Sequence, residues 1–275
     1  MIDLAQVQKR FVTRRGVVEA LGEIDLRVGE GEFVCLVGPS GCGKTTLLNL
    51  VAGLERADEG EVRVDGKPVH GPGPERAVMF QEAALFPWLT VIENVEFGLT
   101  MLRVRKAARR KRALRWLEAV GLARFADANV HELSGGMRQR AALARALVTE
   151  PRILLMDEPF ASLDEPARRA FHEQLETIWV QARMTVLFVT HDIAEAVRLA
   201  TRVVVLGHRP ASVRFSIDVP LDRPRASDDD DVMHLGRAVR AGLERDAGDV
   251  RDGRDVHTLG ATPPRSEDLA PAEAW

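Results

Sequence analysis

The sequence predicts an α/β fold: a mostly parallel sheet with helices on both faces, interrupted by an all-helical block. Three observations predict it. Short buried strand-like runs alternate with helical stretches, a glycine-rich turn joins one such strand to its helix, and Val91 to Val148 shows helical spacing throughout. At 275 residues the chain is long enough for one sizeable core or one domain with insertions.

In chain order, IDLAQV and VVEALGEIDLRV read as strands, and FVCLV is a buried strand entering the glycine loop. TTLLNLVAGL has helical spacing and stops at Gly53. EVRVDG reads as a strand running into a turn, and AVMF as a short buried strand. VIENVEFGL, RVRKAARRKRALRWLEAVGL and GGMRQRAALARALV form the helical block, which looks inserted into the sheet at about residues 88–148. Buried strands return at ILLMD, TVLFVT and RVVVL, the first two followed by helices. Residues 1–220 therefore read as one domain. From 221 to 275 composition changes: DRPRASDDDD is rich in Pro and Asp, and residues 222–274 contain no aromatic side chain. This extension reads as largely disordered, with one short amphipathic helix placing Val232, Leu235, Val239 and Leu243 on one face.

Bulk properties exclude several classes. Hydrophobic content of 45% and charged content of 29% are those of globular proteins. A net charge of -3 argues against a dedicated nucleic-acid binder. The two cysteines, Cys35 and Cys42, form no disulfide framework, which favours a reducing compartment. The N-terminus lacks a signal-peptide layout, and no apolar run approaches the roughly 20 residues that span a bilayer. Work at a membrane would require another chain to supply the span.

GPSGCGKTT (Gly38, Pro39, Ser40, Gly41, Cys42, Gly43, Lys44, Thr45, Thr46) follows a buried strand and opens a helix, the context its G-x-x-x-x-G-K-[ST] pattern requires. Glycines let the backbone curl so that N–H groups point at phosphate oxygens, and the helix's positive end favours the same anion. Lys44 reaches the β- and γ-phosphates, and the Thr45 hydroxyl ligates Mg²⁺. Lysine is scarce here; Lys9, Lys67, Lys106 and Lys111 are the others among 38 basic residues. Downstream, the apolar run ILLM delivers Asp157 and Glu158 to the carboxyl edge of the sheet, where α/β folds bind ligands. Asp157 is placed to hold Mg²⁺ through water and Glu158 to polarise the attacking water, so Glu158 is the candidate general base.

LSGGMRQR, Leu133 to Arg140, supplies a further helix start with free N–H groups. Together with the phosphate loop and the acidic pair it resembles the signature of ABC-type ATPases, the nucleotide-binding subunits of membrane transporters. The resemblance implies a P-loop NTPase (RecA-like) core, an N-terminal antiparallel β subdomain and an inserted helical subdomain. It also implies hydrolysis of ATP with Mg²⁺, in a head-to-tail dimer where Ser134, Gly135 and Gly136 of one copy contact the γ-phosphate held by the other. Family elements follow in order. Gln81 matches the glutamine that contacts Mg²⁺ or water and reports to the permease; Ser162, Leu163 and Asp164 match the loop crossing the dimer interface; His191 matches the switch histidine. Phe11 stands where the family places an aromatic against adenine, usually Tyr, which this chain lacks; a core Phe is the alternative. Residues 1–220 carry the resemblance. GPGPERAVMFQEAALFPWLTVIENVEFGL, LLMDEPFASLDEPAR and TVLFVTHDIAEAVRLATRVVVL resemble the importer ATPases for nitrate, sulfonate and taurine, with ASLD in place of the more usual GALD.

The resemblance thus implies a subunit peripheral to the cytoplasmic face of the cell membrane, partnered by a second copy, by permease subunits and, indirectly, by a substrate-binding protein. The alternative is an ABC-type ATPase of DNA repair or translation. The former carry a long coiled coil between loop and signature, and the latter two cassettes in one chain; neither pattern is present. Eight cations without an acid between Arg103 and Arg115 read as a solvated helix face or an anionic-lipid contact. The patch Leu85, Phe86, Pro87, Trp88 and Leu89 is too apolar for a free loop and suits a permease surface.

Overall fold

The computed structural model describes residues 1–226 and 229–251. In chain order the elements are β1 (Ile2–Thr13), β2 (Gly16–Val28), β3 (Phe33–Val37), α1 (Lys44–Ala52), β4 (Glu59–Val64), β5 (Lys67–Pro68) and β6 (Arg76–Met79). A helical block follows, of α2 (Val91–Met101), α3 (Lys106–Ala119) and α4 (Gly135–Leu147). Then come β7 (Ile153–Asp157), α5 (Glu165–Ala182), β8 (Thr185–Val189), α6 (Ile193–Leu199), β9 (Arg202–Leu206), β10 (Val213–Asp218) and α7 (Asp230–Arg251).

A six-stranded sheet in the order β10-β9-β3-β8-β7-β6 forms the centre, parallel except for the antiparallel edge strand β10. Its inner strands are apolar on both faces, as strands covered on both sides must be. Alternation assigns their side chains to two cores. Phe33, Cys35, Leu154, Met156, Val186 and Phe188 join the core under α2–α5, while Val34, Leu36, Ile153, Leu155 and Leu187 join one with α1 and the N-terminal strands.

The N-terminal strands form a separate antiparallel sheet, β2-β1-β4-β5. Within β1, Ile2 and Leu4 are buried; then Gln6 turns to φ 51 and the register shifts. That bulge resets the alternation so that Val7 and Lys9 also face inward. Buried Lys9 is matched by Asp58 at 3.3 Å and Glu55 at 3.8 Å. The Arg10 backbone N–H, aided by Lys9, holds the Asp58 carboxyl below the usual range.

In the helical block, Thr90 and Glu93 close a capping box at the start of α2, which places the Glu93 carboxyl below its ordinary value. The extension after Leu221 differs from its compositional reading. Residues 221–226 are held against α6 by buried Arg225, and the short helix expected there is a 22-residue helix with Val232 and Val239 buried. Arginine finds carbonyl partners here that composition does not reveal. Residues 252–275 of the expected disordered stretch lie outside the described residues.

Candidate active site

Parallel strands deliver their carboxyl ends to one edge, and four neighbours in this sheet carry the candidate chemistry. β3 ends at Val37 and continues into the phosphate loop; β8 ends at Val189, two residues before His191; β7 ends at Asp157, with Glu158 next in the chain; β6 ends two residues before Gln81. Residues scattered over 150 positions thereby converge without any local signal linking them.

The phosphate loop is shaped by two close approaches. Gly43 has φ 125, and a Cβ there would meet the Ala20 carbonyl oxygen and Leu21 Cδ2 at 2.8 Å. At Gly38 a Cβ would lie 2.6 Å from the Leu206 carbonyl oxygen. Both positions exclude a side chain, so the glycines seat the loop between β2 and β9. Lys44 is buried at the start of α1, and its ammonium donates to the carbonyls of Gly38 (2.9 Å) and Pro39 (3.0 Å). Arg209 donates to the Gly41 carbonyl at 2.5 Å, a tether the motif does not predict. Cys42 is buried, its thiol turned toward Gly38. Ser40 and Thr45 are exposed, whereas Thr46 is half-buried.

The Thr45 hydroxyl donates to Asp157 Oδ1 at 3.1 Å. Burial pushes the Asp157 carboxyl up from its ordinary value, partly offset by that hydroxyl and by Lys44. Glu158 adopts φ 43, and its N–H donates to the Val189 carbonyl at 2.9 Å. From that unusual backbone its carboxylate Oε2 lies 2.9 Å from His191 Nδ1, linking the candidate base to the candidate switch. Beside them a cavity of about 50 Å³ is lined by Glu158, Phe160, Ala161, Arg168, Thr190 and His191. It is large enough for water and too small for a nucleotide. A larger cavity of about 530 Å³, lined by Arg115, Trp116, Leu147, Ile178 and Met184, holds none of the candidate nucleotide-site residues.

The other predicted residues sit apart from this cluster. Ser134 caps α4, its hydroxyl oxygen accepting from the Met137 N–H at 3.3 Å. Gly135 is exposed, and a Cβ there would meet nothing within 4 Å, so its own chain gives no reason for glycine. Gly136 faces Leu163 and Ala167. Asp164 caps α5 by accepting from the Ala167 N–H at 2.9 Å, a structural role inside its own chain. The Gln81 side chain is exposed, while its carbonyl accepts from Gln139 Nε2 at 2.6 Å. Phe11 is half-exposed with the Lys9 ammonium 5.1 Å from its ring centroid, so it is no core residue.

Sequence reasoning missed the scaffold of the apolar loop. Buried Asn94 accepts from the Phe86 N–H (2.7 Å) and donates to the carbonyls of Phe86, Leu89 and Thr90. Arg145 of α4 donates to the Ala83 and Ala84 carbonyls at 2.8 and 2.6 Å, and its guanidinium lies 5.7 Å from the Phe86 ring. The loop thus presents Trp88, 76% exposed, against Phe86, whose ring also meets Phe97 of α2.

For Mg²⁺, the donors present are oxygen only: the Thr45 hydroxyl and the Asp157 carboxylate, 3.1 Å apart. Hard oxygen donors of this number suit an ion that keeps waters and takes phosphate oxygens as further ligands. Among the described residues there is no group of three or more His, Cys, Asp or Glu side chains that would cage a metal alone.

Residues 21–161 match the family model described as ABC transporter. The chain is 52% identical over 214 residues to an ATP-binding protein of Brucella abortus, covering 78% of this chain and 82% of that one. It is 46% identical over 220 residues to the nitrate import ATP-binding protein of Synechocystis sp., covering 80% and 83%. To the taurine import ATP-binding protein of Burkholderia pseudomallei it is 47% identical over 215 residues, covering 78% and 83%. The dimeric structure of a bacterial ABC transporter cassette superposes with a TM-score of 0.72 at 35% identity, over 81% of this chain and 100% of that one. A post-hydrolysis state of that cassette bound to ADP and Pi gives 0.71 at 34% identity, with the same coverage.

Proposed function

The chain belongs to the ABC transporter family and is an ATPase; from that premise we propose that it is the ATP-hydrolysing subunit of an importer for a small anion such as nitrate, taurine or another aliphatic sulfonate. The observation that carries the import reading is the 46% and 47% identity, across about four fifths of the chain, to proteins named for nitrate and taurine import. The subunit works as a head-to-tail pair on the cytoplasmic face of the membrane. Permease subunits dock on the Phe86–Trp88 surface, and a substrate-binding protein delivers the cargo to them. No described helix is long and apolar enough to cross a membrane, so the pathway lies in those partners.

The site supports hydrolysis by positioning rather than by covalent chemistry. The loop amides from Gly38 to Thr46 and the start of α1 receive the phosphates, and Lys44 exchanges its two carbonyl contacts for β- and γ-phosphate oxygens. Thr45 and Asp157 would hold Mg²⁺, with Gln81 as a further ligand; the ion would neutralise phosphate charge. Glu158 takes a proton from the water attacking the γ-phosphorus as the bond to the ADP oxygen breaks. His191 orients that carboxylate and contacts the γ-phosphate. The exposed, sterically unconstrained Gly135 fits a close approach by the partner copy's nucleotide, with Ser134 and Gly136 beside it. Phe11 and its covering Lys9 form the adenine platform.

The test is uptake of labelled nitrate and taurine in cells lacking this chain, complemented either with the parental protein or with Glu158→Gln. Glu158→Gln should bind ATP normally while lowering turnover by roughly 10²–10⁴-fold and abolish uptake. Specific activity should fall on dilution into the monomeric range. Uptake of both anions unchanged by loss of the chain would refute the import reading, and dilution-independent turnover would refute the pair.

A further inference from the structure

α6, the helix that follows His191, has seven residues, just under two turns. Helices that short do not hold themselves. Its placement is set by what grips its ends. At the start, Asp192 accepts from the N–H groups of Ala194 (2.9 Å) and Glu195 (3.2 Å). Glu195 in turn meets His172 of α5 at 2.8 Å, both side chains buried.

The C-terminal carbonyls of such a helix have no partner within it. Here they are taken by two guanidinium groups from beyond the sheet. Arg225 donates to the carbonyls of Val197 (3.0 Å), Arg198 (3.4 Å) and Ala200 (2.7 Å), and to those of Val219 (3.1 Å) and Leu221 (2.5 Å) in its own strap. Arg223 donates to the Leu199 carbonyl at 2.5 Å, is anchored by Glu176 of α5 at 2.7 Å, and lies 4.6 Å from the Trp179 ring. Arg225 is 4% exposed and, among the described residues, has no carboxylate within ion-pair distance. Burial and the neighbouring Arg223 push it down to about 10. A buried cation without a directly paired counter-ion is costly; what faces this one is a fan of carbonyls at the negative end of α6, with the Glu176 and Asp222 charges acting from further off.

We propose that Arg225 and Arg223 are positioning residues for ATP hydrolysis: by closing the C-terminal carbonyls of α6 they fix the helix behind His191, and with it the 2.9 Å approach of His191 to Glu158. The inference rests on the reading of Glu158 and His191 given above. α7 completes the clamp, with Val232 and Val239 buried and Gly236 facing Ile193.

The test uses the full chain carrying Arg225→Met, Arg225→Lys and Arg223→Met, each alone and combined with His191→Ala. Turnover, nucleotide affinity and melting temperature are measured for every protein. Arg225→Met should lower kcat on the order of ten- to a hundredfold with nucleotide affinity unchanged, as a small misplacement of a reacting group does. Arg225→Lys, one ammonium in place of a five-donor fork, should recover part of that loss. In the His191→Ala background Arg225→Met should cost nothing further, since residues acting through one another are not additive. If Arg225→Met does not fold, the same cycle with Arg223→Met decides. An equal fractional loss with and without His191 would overturn the inference alone. Parental turnover in His191→Ala would overturn both the inference and the reading it rests on.

Discussion

Glu158 offers a test in which stability and catalysis report on one backbone angle. Its φ of 43 lies in the left-handed region, which costs an L-residue roughly 1–2 kcal/mol. Glycine escapes that cost but gives up roughly 0.4–1 kcal/mol relative to alanine through the freer unfolded chain. Glu158→Gly and Glu158→Ala both delete the carboxylate and its contact with His191, so comparing them isolates the backbone. Glycine should then be the more stable by about 0.5–1 kcal/mol. For a domain of this size that is a melting temperature roughly 1–4 °C higher. At an ordinary strand or helix position the order reverses, with alanine ahead by roughly 0.5–1 kcal/mol. Calorimetry of the two variants side by side reads the sign, and phosphate release reads turnover, which should fall by roughly 10²–10⁴-fold in both. An alanine variant melting at or above the glycine variant would refute the strain; near-parental hydrolysis in either would refute the base.

Three further outcomes follow from the site and its scaffold. Lys44→Ala should weaken nucleotide binding itself, measured by titration, because the buried ammonium sits inside the phosphate loop. Asp157→Asn should raise the melting temperature at neutral pH while abolishing hydrolysis. Because burial raises this carboxyl's folded-state value, the folded chain takes up the proton first as pH falls, and the gain should vanish below the carboxylate range. Asn94→Ala, which removes the side-chain partner of the Phe86 N–H and one donor from each of three carbonyls, should cost roughly 1–3 kcal/mol in denaturant unfolding. It should also weaken capture by permease-containing membranes.

The phosphate loop, the Asp157–Glu158 pair, the helix starting at Ser134 and the helical block were legible because each is local. A short run of residues must share one strand end or one helix start, and spacing records that. Convergence at the sheet edge is not local, since β8 lies between β3 and β7 for reasons no window of sequence contains. The Asn94 scaffold, the Gln139 and Arg145 contacts and the Arg225 clamp were illegible for the same reason. Each is a polar side chain bonded to backbone groups at a distance, and carbonyls carry no sequence signature. Arg225 was doubly hidden, because DRPRASDDDD has the composition of a linker while one of its arginines is buried.

The hold that α4 has on the segment from Gln81 to Ala84 bears on how such a chain diversifies. Gln139 and Arg145 bind main-chain oxygens, which every amino acid supplies. Substitutions at Glu82, Ala83 and Ala84 therefore leave the mechanical link intact. The side chains shown to a partner can change without removing the main-chain acceptors that hold the joint beneath them.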